Sequence, residues 1–467
     1  MADGAGGAEP AGEPARGAPP PDPADQLRSA AYLRLLLLAA VVGAPISAAA
    51  YYFLHLVDAI QEWVYTDLPR ALGFSGTPLW WPLPLLGIAG LLVGLMVRHL
   101  PGGGGHSPLA GFASGHTPHP ADLPGILLAA ITSLGLGAVL GPEAPLIALG
   151  GGLAVLAVRL SRRDVPDRAL AVVASAGSFA AISALLGSPV LGAFLLMESA
   201  GLGGPILGLV LLPGLLASGI GALVFVGLNQ LSGLGTAALE LPGLPPFAHP
   251  DIAQFGWALV IGVLAAFLGS GIRRLGTVLS GYVERRIVLL TTAVGLGVAV
   301  LAMIYTAVTG HGVIDVLGSG EEDVGLLLQR SADYSVGALL LLVACKGLAY
   351  SLSLSAFRGG PVFPAIFIGA AGGVAMSHLP GLPMVAGVAM GIGAMSVVML
   401  KLPLTSVMLA TLLMFEDGLA VTPIVIVAVV VAHVVSARLG PRPPAPQRPP
   451  GDRGTTAAPA REQRPAT

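Results

Sequence analysis

Charge is scarce in this 467-residue sequence: Asp, Glu, Lys and Arg together make up 10% of it, against 54% hydrophobic residues. A soluble fold of that length could not cover its surface with so few charged side chains, so the apolar segments must face lipid or one another. The chain therefore reads as an all-α polytopic membrane protein. Its net charge of -2 gives no general attraction to nucleic acid. Cysteine is nearly absent as well. The one thiol, Cys345, lies in an apolar run, which excludes an internal disulfide and leaves the redox compartment open. The first thirty residues lack the apolar core of a secretory signal, so no cleavable leader is expected.

What the sequence does have is glycine, 66 of them, and proline at the edges of its apolar runs. Residues 1–29 and 441–467 are Ala, Gly, Pro and scattered charge, the composition of disordered tails, flanking a membrane domain at 30–440. Within it, 33–56 is apolar but broken at Gly43 and Pro45, and Trp80, Trp81 and Pro82 open a second span. A Gly- and His-rich loop at 101–120 follows, and 123–159 is apolar again. The run 169–197 is interrupted at Gly187-Ser188-Pro189, which predicts two short helices. Later runs cover 205–228, 252–268, 287–308, 336–354, 365–376 after a break at 355–364, 384–414 and 421–435.

The basic patches with Arg159, Arg162, Arg163 and Arg168 and with Arg273, Arg274, Arg285 and Arg286 read as Arg-rich loops and belong on the cytoplasmic side with both termini. The acidic loop with Asp315, Glu321, Glu322, Asp323 and Asp333 belongs opposite. Ten to twelve apolar segments, several too short for the roughly 17 residues of a simple span, and interrupted by Gly and Pro in both halves, predict an inverted repeat with broken and re-entrant helices. The halves are 30–232 and 251–439. G-P-E-A-P at 141–145 has a counterpart in G-G-P-V-F-P at 359–364, and S-P-V-L-G at 188–192 in L-P-L-T-S at 402–406.

Glu143 stands out in this setting. It lies between Pro142 and Pro145 in G-A-V-L-G-P-E-A-P-L-I-A-L-G-G, with no other charge until Arg159, and an ionisable group at membrane depth is by default a functional candidate. Each interrupted motif places Gly and Pro where a helix begins. Helix starts expose unpaired N–H groups and carry roughly half a positive charge, so several converging in mid-membrane hold an anion without a buried cation. An ionised glutamate there competes with the anion, and a protonated one leaves. The plainer alternative is an acid that merely stabilises its own helix start.

G-P-E-A-P resembles the G-[KR]-E-G-P motif of the CLC family of chloride channels and proton-coupled chloride transporters. The runs F-R-G-G-P-V-F-P, L-G-S-P-V-L-G-A-F-L-L-M-E and L-P-L-T-S-V-M-L-A-T-L-L-M-F-E resemble further family motifs, in family order. The resemblance implies a CLC-type fold and a homodimer in the cell membrane that conducts chloride or another small anion without cofactor or metal. Glu143 falls on the gating glutamate, and Gly104, Gly105, His106, Ser107, Gly141, Pro142, Gly360, Pro361, Val362 and Phe363 fall on the anion-binding segments. Gly105 stands where family members usually have a Ser, Val362 where they have a Phe, and the late pore Tyr has no counterpart. Where proton-coupled members carry a Glu-Glu pair, this chain reads Glu198-Ser199, a possible proton pathway with Ser at the coupling position. That favours passive conduction, with proton-coupled chloride or fluoride exchange as the alternative. A remote alternative, an intramembrane serine protease using His433, lacks a Ser in a nucleophile's setting.

The remaining polar groups have plainer readings. His106, His116 and His119 are solvated or pore-rim histidines rather than metal ligands. Glu198 and Glu416 end apolar runs, where interfacial and functional roles are both open. Lys346 snorkels or caps a helix end. Arg358, beside the second Gly-Gly motif, is placed to raise the local anion concentration.

Overall fold

The computed structural model describes residues 27–111, 119–161, 167–199, 205–234, 246–247 and 249–440. The expected tails and His116 lie outside these or at their edge. The helices fall in two runs. The first comprises α1 (Ala30–Glu62), α2 (Pro82–His99), α3 (Leu123–Gly135), α4 (Glu143–Ser161), α5 (Asp167–Leu185), α6 (Pro189–Ser199) and α7 (Pro205–Ser232). The second comprises α8 (Ile252–Val283), α9 (Ile287–Thr309), the short α10 (Glu321–Gln329), α11 (Val336–Ala356), α12 (Val362–Met376), α13 (Met384–Leu400), α14 (Pro403–Leu413) and α15 (Gly418–Leu439). Seven helical stretches among the described residues are long and apolar enough to cross a membrane, and six shorter apolar helices of 10–17 residues accompany them.

The repeat is legible in the packing. α4 packs on α5 as α12 packs on α13, α5 on α7 as α13 on α15, and α1 on α7 as α8 on α15. The first of these contacts is made the same way in both runs, by glycines that let two backbones touch. A side chain at Gly150 would strike the carbonyl of Gly177, and one at Gly369 that of Gly391. α2 and α9 join the two runs along an extensive contact, and α6 meets α14.

Two expectations from sequence need correction. Gly43 and Pro45 do not break the first run, because α1 continues through Pro45 to Glu62. Proline removes one N–H from the ladder, which a membrane helix packed by its neighbours tolerates; Gly43 lies directly against the backbone of Ala217 on α7. The second basic patch is not a loop. Arg273 and Arg274 sit on α8, which extends to Val283, and only Glu284–Arg286 form a tight turn. The α8 start is fixed by a capping box in which Asp251 and Gln254 bond each other's backbone.

Candidate functional site

The breaks at 136–142 and 357–361 come together. Gly141 and Gly360 form an antiparallel bridge in which each donates its N–H to the other's carbonyl, at 2.8 and 2.5 Å. The two loops are also held by a reciprocal pair of serines. The Val139 amide donates to Ser353 Oγ of α11 at 3.1 Å, and the Arg358 amide donates to Ser133 Oγ of α3 at 3.1 Å. Each loop's buried N–H is thus satisfied by the helix that precedes the other loop. Further bonds fix the carbonyls: Tyr350 Oη donates to Pro361 O at 2.7 Å and Tyr65 Oη to Leu136 O at 2.9 Å.

Glu143 is the first residue of α4, and Val362 opens α12. The Glu143 carboxylate does not stay with its own helix alone. Its Oε1 accepts the Phe363 N–H at 2.9 Å, and the Val362 amide also faces the carboxylate. Oε2 has no hydrogen-bond partner among the described residues, although Glu143 is 0% exposed. A Cβ added to Gly141 or Gly360 would collide with this carboxylate, so it fills the space that two side chains would otherwise take. The geometry places a carboxylate at the start of α12, where unpaired amides and the helix dipole favour negative charge.

The first Gly-rich loop reaches this cluster indirectly. Gly102, Gly103, Gly104 and Gly105 all have positive φ (74°, 56°, 71° and 93°), a run that side-chain-bearing residues would resist. Gly104 is buried near Val97 and Ala129, and Gly105 lies against Ile126 of α3. Arg358 links the loop to the second motif, with Nε donating to Gly103 O at 3.4 Å. His106 and Ser107 are exposed. The structure therefore gathers Glu143, Gly141, Gly360, Pro361, Val362 and Phe363 in one contact set, with Pro142 in the chain between Gly141 and Glu143, and brings Gly104 and Gly105 up through Arg358.

Comparison with known proteins decides the family. The model of the voltage gated chloride channel family matches residues 89–437. The chain belongs to that family. Among curated relatives, the putative ion-transport protein YfeO of Escherichia coli O7:K1 is 27% identical over 369 residues, covering 76% of this chain and 82% of the relative. The protein of that name from Shigella boydii serotype 4 is 26% identical over 368 residues with the same coverage. Among solved structures, a slow cyanobacterial Cl-/H+ antiporter superposes with a TM-score of 0.73 at 20% identity, over 88% of this chain and 96% of that one. A CLC-type fluoride/proton antiporter superposes with a TM-score of 0.65 at 20% identity, over 86% and 95%. The fold is thus of the CLC type, and the chain is a multi-pass membrane protein of an ion-transport family rather than an enzyme.

Outside the cluster, the other polar residues of this CLC chain have definite places. Glu198 at the end of α6 accepts from the amides of Leu404 and Thr405, at 3.0 and 2.8 Å, and from Thr405 Oγ1 at 2.7 Å. It caps the start of α14. Ser199 Oγ donates to Leu196 O. Lys346 does not snorkel: fully buried, its Nζ donates to the carbonyls of Asp315, Val316 and Leu317 at 3.1, 3.3 and 3.1 Å and lies 4.2 Å from the Phe367 ring centroid. His119 Nε2 meets Arg159 Nη1 at 3.1 Å. Among the described residues the His433 ring Nδ1 has no hydrogen-bond partner and forms no Ser–His dyad, and Ser436 Oγ donates to the His433 backbone rather than to its ring. The side chain of Glu416 lies outside the described residues.

Ser133, Ser353 and Tyr350 escape a reading by motif, since none belongs to a Gly-Pro signature. Their signal is weaker: hydroxyls inside an apolar helix shortly before a Gly-rich break, in both halves.

Proposed function

We propose that this CLC protein conducts chloride, or another small anion, along a pathway whose outer end Glu143 opens and closes. The observation that carries the reading is the Phe363 N–H donated to Glu143 Oε1. The carboxylate takes the place at the start of α12 that suits an anion, and the two compete for the same amides. Protonation removes the charge that holds Glu143 there. The side chain then leaves, and the amides of Val362 and Phe363 are free to bind the permeating anion, with Gly104, His106 and Ser107 as further ligands from the first loop; the amides of Gly360 and Gly105 stay in backbone bonds to Gly141 O and Gly102 O, and Pro361, having no N–H, contributes only shape. We place both termini in the cytoplasm, as the basic stretches suggest, and assign the assembly as a homodimer with one pathway per subunit.

Passive conduction is favoured over exchange by what surrounds Glu198. Its carboxylate already accepts three hydrogen bonds at the start of α14, and the neighbouring coupling position is Ser199. Proton-coupled exchange is the second reading, supported by the similar fold of a Cl-/H+ antiporter and of a fluoride/proton antiporter. Purified protein in liposomes separates the two when anion efflux and proton uptake are recorded together, with fluoride compared to chloride. Conduction gives efflux with no stoichiometric proton movement; proton uptake against its gradient would replace it with exchange. Absence of flux for every anion tried would remove both.

A further inference from the structure

We infer that Arg358 is a ligand for the permeating anion, forming an inner binding site between the Gly-rich loop at 102–105 and the start of α12. The inference rests on the anion pathway proposed above and adds a named cationic ligand to it. Arg358 immediately precedes Gly359-Gly360, so its backbone is locked into the same bridge that holds Glu143: its amide donates to Ser133 Oγ, and Gly360 pairs with Gly141. From there the side chain crosses to the first loop. Its Cγ lies 3.5 Å from where a Cβ of Gly104 would be, and Nε and Nη1 donate to Gly103 O and Phe357 O at 3.4 and 3.3 Å. Arg358 thereby touches both of the segments that carry the candidate anion amides.

The charge balance points the same way. A guanidinium has five N–H donors, and the described residues account for two of them in long, weak bonds to neutral carbonyls. Among the described residues no carboxylate forms an ion pair with it; the acid that acts on it at longer range is Glu284. A partly buried cation in a membrane domain is costly unless it is matched, and carbonyl oxygens match it only in part. A small anion supplies the missing charge and accepts the remaining donors.

A purely structural alternative has Arg358 stapling the two loops and nothing more. Equilibrium binding distinguishes them. Chloride is titrated calorimetrically into purified protein bearing Arg358→Gln, Arg358→Lys or Glu143→Gln, and into the unaltered chain. The anion-ligand role predicts a loss of affinity of about tenfold or more in Arg358→Gln, and a smaller loss in Arg358→Lys, which keeps the charge but not the planar fork. Unchanged affinity in a folded Arg358→Gln protein overturns the inference and leaves the pathway standing. No chloride binding in either the unaltered chain or Glu143→Gln overturns the pathway itself. Should Arg358→Gln fail to fold, bromide soaked into crystals of the unaltered protein decides by anomalous scattering: a peak against the guanidinium supports the site, and peaks elsewhere only, or none, overturn it.

Discussion

Gly141 and Gly360, one from each half of the chain, exchange both backbone hydrogen bonds and so place the start of α4 against the start of α12. The absence of side chains at this pair is what admits the Glu143 carboxylate. Gly360→Ala puts a methyl group into that carboxylate. The expected cost is about 1–3 kcal/mol, the usual range for overpacking a filled interior, and it shrinks in a Glu143→Ala background where the colliding group is gone. Thermal unfolding of the two single variants and the double variant in detergent measures the coupling. Additive losses would show that Gly360 matters for another reason.

The paired serines give a prediction that depends on the internal symmetry. Ser133 and Ser353 do the same work in opposite halves, each accepting one buried loop N–H. Ser133→Ala and Ser353→Ala should therefore destabilise by similar amounts, about 1–3 kcal/mol, because each leaves a buried donor without a partner. Denaturant or thermal unfolding of both variants checks this, and a large difference between them would contradict the equivalence of the two loops.

Lys346 holds three consecutive carbonyls with one ammonium. Lys346→Met keeps the stem and removes the donors, and the loss is expected at about 2–4 kcal/mol from the carbonyls left unpaired. Lys346→Arg should not restore stability, since a planar fork does not match three acceptors arranged around a point. Full rescue by Arg, seen as an unchanged unfolding temperature, would argue that charge alone matters.

Asp323 lies on α10, outside the membrane-spanning stretches. Burial raises its pKa to about 6, with Asp315 and Glu322 adding to the rise and Lys346 opposing it. The native state therefore binds this proton more tightly than the unfolded state, whose carboxyl titrates near 3.8. Its favourable contribution is fully present below the unfolded value and is lost as pH rises through the folded one. The unfolding temperature of the unaltered protein should fall relative to that of Asp323→Asn between pH about 4 and about 6, and the difference should be flat above that. A difference that grows in the opposite direction would mean that Lys346 outweighs burial.

Much of this site could be read from residue order, and some could not. Glu143 was conspicuous because a lone acid between prolines in apolar surroundings has few plain explanations, and Gly and Pro before apolar runs marked the starts of α4, α6 and α12, whereas the start of α14 at Pro403 fell inside a run read as continuous over 384–414. The weak repeat between 141–145 and 359–364 became a physical pairing. What escaped was whatever depends on a partner distant in the chain. Pro45 reads as a break until Ala217 packs against Gly43, and Arg273 reads as a loop cation until its Nη1 is found 2.6 Å from Met399 O. Glu198 likewise looks equally functional or interfacial until the start of α14 arrives on it. Local pattern gives the propensity to begin or end a helix, while the helix that comes to lie alongside decides the outcome.

The central claim is competition between the Glu143 carboxylate and the anion, and chloride efflux from liposomes as a function of external pH tests it most directly. Efflux through the unaltered protein should rise as pH falls and Glu143 is protonated. Glu143→Gln, which is neutral at every pH, should hold efflux at the acid level throughout, about tenfold above the unaltered protein at neutral pH, or about 1.4 kcal/mol of lost competition. Efflux through Glu143→Gln that stays at the unaltered protein's neutral-pH rate and still rises with acid would contradict the account.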